Sequence, residues 1–389
     1  MVAAAACGTL RAINQRYNWI ALRLGLVVAS SLATLLVLDL IYVFGYQVPR
    51  TAHSHSDFWF VEGWVPRDSN LPDAELGFVR KPLLHWQGGP ATSASVVSYR
   101  TDENGFRNEP GIQQADIVFI GDSFTEAASV PEADTFVQRV GSLTNRAVVN
   151  LGRGLYGPQQ ELIVLSRFGL SYNPRVVVWQ LFEGNDLFDA TRYEEWRRMP
   201  ASPTFVQRYL WNSLITHWLD LTLPTGAVVR QQVPSGEGGP RDVHLDYAYS
   251  PDEPDRLQKG FAETTKAIES GYRLCASRGI TLIVVFIPIK VRGLGDTIVF
   301  HKEKERDEYF PGGVTQSERD FAHQIANYCD QLKCPFIDVT SELRRKSAEG
   351  SRRVYMLGPD THLDVDGHNV VAEVLAQQVR VSLEPKLKD

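Results

Sequence analysis

Four short stretches hold the residues best able to do covalent chemistry: Gly121-Asp122-Ser123, Asn150-Leu151-Gly152-Arg153-Gly154, Gly184-Asn185-Asp186 and Asp360-Thr361-His362. A serine hydroxyl is a weak nucleophile until a neighbouring base takes its proton, and His362 is a residue of the right type. Asp360 stands two residues earlier. In an extended segment positions i and i+2 point to the same side, so Asp360 can fix the imidazole tautomer and stabilise its charged form. Charge developing on an acyl oxygen needs donors placed in advance. The Ser123 N–H, a backbone N–H near Gly154 and the Asn185 side-chain amide are three of the right kind. Each stretch also has an ordinary reading. Asp122 can cap a helix, Gly-Asn-Asp can end a strand, and a histidine near a helix start commonly serves as a structural hydrogen-bonding group. His368 is read in that last way.

Those residues gain meaning from the elements that must carry them. "ADIVFIGDS" reads as a buried strand, "PEADTFVQRVGSL" as an amphipathic helix, "RAVVNLG" as a strand, "PQQELIVLSRFGL" as a helix and "PRVVVWQLFEGND" as a strand. Apolar runs rich in Val and Ile, alternating with helix-period segments, predict a mainly parallel sheet covered by helices on both faces, a three-layer α/β/α sandwich. The alternation breaks over about 187–255. It resumes with a helix near Arg256–Ser277, the strand "ITLIVVFIP", a helix near Gln316–Gln331, the strand "CPFIDV" and a last helix near Asp366–Leu383. In an open parallel sheet, functional groups gather beyond the carboxyl ends of the strands. Ser123, Gly152, Gly154 and Asn185 follow three successive strands, and Asp360 and His362 precede the last helix, so one sheet edge collects them all.

The 389-residue chain has 43% hydrophobic and 22% charged residues, which fits a globular protein and argues against disorder as its main state. A net charge of −6 without a long basic run makes nucleic acid a poor partner. Between Leu24 and Val48 Asp39 is the sole formal charge, with Arg11, Arg16 and Arg23 before the run and Arg50 after it. That length suffices for one membrane-spanning helix, and it exceeds the apolar core of a cleavable signal peptide. The expected organisation is a cytoplasmic segment 1–23, a signal anchor 24–48, a lead-in 49–110 packed on the domain, and a catalytic domain 111–389 with an insertion about 187–255. Arginines before the span place the catalytic domain outside the cytoplasm. Asp39 is expected near the outer boundary or against a partner helix. Cys275, Cys329 and Cys334 are odd in number: Cys329 and Cys334 form a bridge, or all three are small buried side chains.

In order and approximate spacing, the four stretches resemble the successive blocks of the SGNH (GDSL-type) hydrolase superfamily, over about Ile117–Leu383. Upstream, "ELGFVRKP" and "TDENGFRNE" look like the lead-in of membrane-anchored relatives associated with exopolysaccharide biosynthesis. The resemblance implies an SGNH hydrolase-like, flavodoxin-like fold with Ser123 as nucleophile, His362 as base and Asp360 as orienting acid. It implies an oxyanion hole from Ser123, Gly154 and Asn185, and neither a metal nor an organic cofactor. Two departures stand out. The acid lies two residues before the histidine rather than three, where Pro359 stands, and the second-block glycine of relatives aligns with Gly154 or with Leu155. The function so implied is a serine esterase or O-acetyltransferase, single-pass in a bacterial inner membrane. Its periplasmic domain acts on an acylated carbohydrate alongside polysaccharide-biosynthesis proteins. A lipid or lysophospholipid esterase and a non-catalytic glycan-binding scaffold are the alternatives. Trp196, Tyr209, Trp211, Trp218 and Tyr247 in the insertion serve either as sugar-stacking surfaces or as packing.

Overall fold

The computed structural model describes residues 2–45, 69–88, 97–198, 209, 213, 226–231, 241–246, 254–301, 304, 314–349, 353–356 and 360–384. Pro359, Trp211, Trp218, Tyr247 and most of the glycine-rich "PSGEGGPRD" lie outside the described residues. The chain divides into two compact units, one of Met1–Val48, Ser54–Ser56 and Pro200–Leu223 and one holding the rest.

In the first unit, α1 (Val2–Gly45) contains the apolar stretch Leu22–Phe44, with mean hydropathy 2.3 and the length to cross a bilayer. Its helical conformation extends well before the expected span. Leu35, Leu36, Val37, Leu38 and Ile41 are exposed, whereas Asp39 is buried and accepts a hydrogen bond from Ser213 Oγ at 2.6 Å. The carboxylate on the apolar helix is thus matched by a donor from the segment the sequence assigned to the insertion.

The second unit begins with two hairpins, β1 (Asn70–Asp73) with β2 (Gly77–Arg80) and β3 (His85–Gly88) with β4 (Val97–Arg100). Next come β5 (Ile117–Ile120), the one-turn helix α2 (Ser123–Glu126), α3 (Phe136–Thr144), β6 (Val148–Asn150), α4 (Pro158–Arg167), β7 (Val176–Phe182) and α5 (Asp186–Arg198). After a hairpin of β8 (Gly226–Gln231) and β9 (Arg241–Asp246), the alternation continues through α6 (Pro254–Ala276), β10 (Thr281–Ile287), α7 (Lys290–Leu294), β11 (Ile298–Val299) and α8 (Val314–Leu332). It ends in β12 (Phe336–Asp338), α9 (Thr340–Ala348) and α10 (Val365–Leu383).

The central sheet runs β12-β10-β7-β5-β6, every neighbouring pair parallel. Its strands are buried on both faces. Ile117, Phe119, Val176, Val178, Ile283 and Val285 pack with α3 and α10, while Val118, Ile120, Val177, Trp179, Leu282 and Val284 pack with α4, α6 and α8. This period-2 partition produces the predicted three layers. Part of the expected insertion, about 187–255, lies within the described residues. Its first part, α5, is a regular helix packed on α6, and β8 carries β9 and β11 in a separate antiparallel sheet. The cysteines Cys275, Cys329 and Cys334 are buried free thiols.

Candidate active site

In chain order the central strands read 2-1-3-4-5 across the sheet, so the connections leave β5 and β7 in opposite directions and open a crevice between their carboxyl ends. Ser123 follows β5 and Asn185 follows β7, each within three residues of its strand. The turn after β5 depends on Gly121. Its φ is +154°, and a Cβ there would lie 2.5 Å from Gln180 Oε1. Asp122 then caps α2, accepting from the Phe124 N–H at 2.9 Å. At the other end Arg107 donates from Nη1 to the Glu126 and Ala127 carbonyls and from Nη2 to the Val130 carbonyl, a buried cation where the helix leaves its acceptors open. The serine-bearing turn is therefore held at both ends, once by its own sequence and once by the lead-in.

Ser123, His362 and Asp360 form a continuous hydrogen-bonded chain. His362 Nε2 lies 2.7 Å from Ser123 Oγ, and its Nδ1 lies 2.7 Å from Asp360 Oδ1. The same Asp360 oxygen accepts the His362 backbone N–H at 2.9 Å, which locks the two-residue spacing. The Phe124 ring lies 4.8 Å from the imidazole, centroid to centroid, covering it with the residue that follows the serine. Burial works to lower the His362 pKa, but the charge and hydrogen bond of Asp360, aided by Asp122, leave it raised. Burial likewise opposes ionisation of Asp360, yet His362 and Lys290 hold its pKa below the ordinary value. Lys290 reaches this segment directly, donating from Nζ to the Asp360 carbonyl at 2.5 Å.

Gly154 is displaced from the part read for it in the sequence. Its N–H donates to Glu126 Oε2 at 2.6 Å, so that amide is committed to a buried carboxylate. Glu126 also accepts from Arg153 Nη1 at 3.1 Å, from Arg80 Nε at 3.0 Å and from the Tyr99 hydroxyl. Burial would push its pKa up, but Arg80 and Arg153 hold it far below the usual carboxylate range. Asn185, half-buried, and Gln180 face the Asp122 carboxylate and oppose the rise in pKa that burial imposes on it. His368 is structural: it is buried, stacks on Phe136 at 5.6 Å and accepts from the Phe136 N–H, with burial lowering its pKa to about 3.

Several residues about this site were not singled out from sequence: Arg80, Tyr99, Arg107, Glu126, Arg153 and Lys290. The available signal was charge inside otherwise buried stretches, as in "GDSFTE" and "NLGRG". Among the described residues no three His, Cys, Asp or Glu side chains converge as a metal site.

Residues 247–389 match the family model described as "SGNH hydrolase-like domain, acetyltransferase AlgX". The resemblance drawn from the four blocks holds over that span, which contains Asp360 and His362 and stops short of Ser123 and Asn185. No curated protein matches the chain. Among solved structures, a GDSL-like lipase from Bacteroides thetaiotaomicron is 12% identical, covering 69% of this chain and 88% of its own, with a TM-score of 0.37. A catalytic mutant of the acetylxylan esterase Axe2 from Geobacillus stearothermophilus is also 12% identical, covering 68% of this chain and 94% of its own, with a TM-score of 0.37.

Proposed function

We propose that the protein is a serine esterase or O-acetyltransferase that carries a small acyl group, acetyl by preference, on Ser123. The observation that carries this reading is the Ser123–His362–Asp360 chain, with both links at 2.7 Å, at the switch point of the sheet. The acetyltransferase description of the family matched at residues 247–389 supports the choice of acyl group.

In the first half-reaction Ser123 Oγ attacks the ester carbonyl and its proton passes to His362 Nε2. The new C–O bond leaves a tetrahedral oxyanion beside the Ser123 N–H and Asn185. Asp360 stabilises the imidazolium through Nδ1 and stays ionised, consistent with its lowered pKa. His362 then gives the proton to the departing alcohol oxygen as the C–O bond breaks, leaving an acyl-serine. In the second half water or a sugar hydroxyl loses its proton to His362 and takes the acyl group, and the proton returns to Ser123. The apolar Leu22–Phe44 helix, with Arg11 and Arg16 before it and Arg23 in its first turn, tethers this domain to a bacterial inner membrane with the site on the periplasmic side, where a polysaccharide is the acyl donor or acceptor.

The test uses the full chain in detergent with p-nitrophenyl acetate and acetylated oligosaccharides, alongside Ser123→Ala. Acetyl release lost in the variant, by roughly 10³-fold or more, is the expected result. Equal activity in both proteins would sink the serine mechanism, and labelling of Ser123 by a fluorophosphonate without acetyl release would reject acetyl esters as the substrate.

A further inference from the structure

The loop after β6 accounts for its backbone donors one by one. Leu151 N–H bonds the Phe119 carbonyl at 2.8 Å, Gly152 N–H bonds Asn150 Oδ1 at 2.9 Å, and Arg153 N–H bonds the Gly121 carbonyl at 3.0 Å. Gly154 N–H goes to Glu126, Tyr156 N–H to the Arg153 carbonyl at 3.2 Å, and Gly157 N–H to Gln160 Oε1 at 3.0 Å. Leu155 N–H alone in this run donates to no group among the described residues. Buried backbone donors are nearly always paired within the fold, and Leu155 is half-buried, so its open amide is left to water or to a bound acyl oxygen. Leu155 also has φ +70°, a left-handed conformation that is strained for any residue carrying a side chain. Something must hold it there.

The restraint is Glu126, which stands one helical turn beyond Ser123. Its carboxylate binds Gly154 N–H and the Arg153 guanidinium on Oε2, and Arg80 and Tyr99 on Oε1. Arg153 continues to Asn70 Oδ1 at 2.8 Å and Arg80 to Ser69 Oγ at 2.9 Å, so the loop is clamped between the serine-bearing helix and the first hairpin. The clamp leaves little slack: a Cβ on Gly154 would lie 3.0 Å from Glu126 Oε2 and 3.4 Å from Ser123 Cβ. We propose that Glu126 is a positioning residue for acyl transfer, anchoring Gly152–Leu155 so that the open Leu155 amide joins Ser123 N–H and Asn185 in binding the acyl oxygen. This rests on the esterase reading of the same site. Glu126 itself touches no substrate and acts through Gly154.

The experiment measures kcat, KM and the pH profile of p-nitrophenyl acetate hydrolysis for the full chain, Glu126→Gln and Ser123→Ala in detergent, with fluorophosphonate labelling in parallel. Glu126→Gln is expected to lower kcat by about tenfold to a hundredfold, less than or comparable to the loss of one oxyanion donor, with KM within about twofold and the acid limb of the profile unmoved. An unmoved limb is what a merely loosened site would not give, because Ser123, His362 and Asp360 would shift with it. Where Glu126→Gln does not accumulate, Arg153→Lys carries the test, since it keeps the charge while loosening the same loop, and the same kcat-only loss is expected. A folded variant with wild-type kcat, or one whose acid limb moves, overturns the inference and leaves the esterase reading intact if Ser123→Ala is dead. A wild type that neither hydrolyses nor labels, or a Ser123→Ala as active as wild type, overturns both.

Discussion

Asn108 and Asn150 exchange two hydrogen bonds at 2.8 Å, the Asn108 side-chain amide donating to the Asn150 carbonyl and its oxygen accepting the Asn150 N–H. One side chain thereby imitates a neighbouring strand at the end of β6, an edge strand of the central sheet. The Asn150 side chain in turn donates to the Thr125 carbonyl at 2.7 Å and accepts from Gly152 N–H at 2.9 Å, which ties the lead-in to both loops of the site. Asn108→Ala is expected to cost about 2–3 kcal/mol, since two buried backbone groups lose their partners. The shift in denaturant midpoint measures it, and a change under about 0.5 kcal/mol would remove this pair from the account.

Asp360→Asn tests the electrostatics of the base. Burial by itself lowers the His362 pKa and Asp360 raises it, with a net rise. Only neutral His362 accepts the serine proton, so wild-type kcat/KM should climb with pH through a midpoint above the ordinary imidazole value of about 6.5. Replacing the carboxylate removes the main raising influence. The acid limb should move to lower pH while the plateau falls by about 10²–10⁴-fold. A limb that stays in place would mean that some other group titrates.

Glu161 presents the opposite sign. Burial, joined by the charges of Asp122 and Asp189, raises its pKa well above the usual value, although Trp179 Nε1 donates to it at 2.6 Å. A carboxyl with a raised folded-state pKa contributes its stability fully below the unfolded value, and that contribution is lost as pH rises towards the folded value. Glu161→Gln keeps an acceptor for Trp179 and removes the proton dependence. Its stability relative to wild type should be near zero close to pH 4 and should grow by up to about 1.4 kcal/mol per pH unit above that. Melting curves at pH 5 and pH 8 decide it, and a pH-independent difference refutes the assignment.

Gly152 faces the serine-bearing helix so closely that a Cβ would lie 2.5 Å from the Glu126 backbone nitrogen. No side chain can rotate away to relieve a backbone clash. Gly152→Ala is expected to destabilise the protein by roughly 2–3 kcal/mol and to reduce acetyl release even in the folded fraction. Normal stability and activity would show that the two loops approach less closely in solution.

Leu22–Phe44 should retain the full chain in the membrane fraction, with extraction by detergent and not by high salt. Recovery as a soluble, N-terminally shortened product would show that the helix is a cleaved signal instead.

Much of this was legible in the residues themselves. Strands such as "IVFI" and "VVVWQLF" declare themselves because parallel strands buried on both faces need unbroken apolar runs, and they lie at Ile117–Ile120 and Val176–Phe182 as read. The spacing of Asp360 and His362 predicted a shared side, and one carboxylate oxygen does serve both the ring and the backbone. The segment after Asn185 was less legible. α5 has charged residues on several sides, so its helical period is faint, and its place is fixed by packing on α6 rather than by pattern. The hairpins before Gly105 were missed for a similar reason: their four-residue strands are too short to show alternation, and they are held by partners outside themselves.

By itself, the sequence determined which chemical groups stand at the strand ends, because residue identity and local hydrophobic period are properties of short windows. The tertiary structure alone decided which of those groups are free to act. Gly154 and Leu155 are neighbours with the same backbone donor, and nothing local separates them. A carboxylate 28 residues back along the chain binds the first and leaves the second open. Hydrogen bonding is saturable, so the use of a donor depends on what the fold brings within about 3 Å of it.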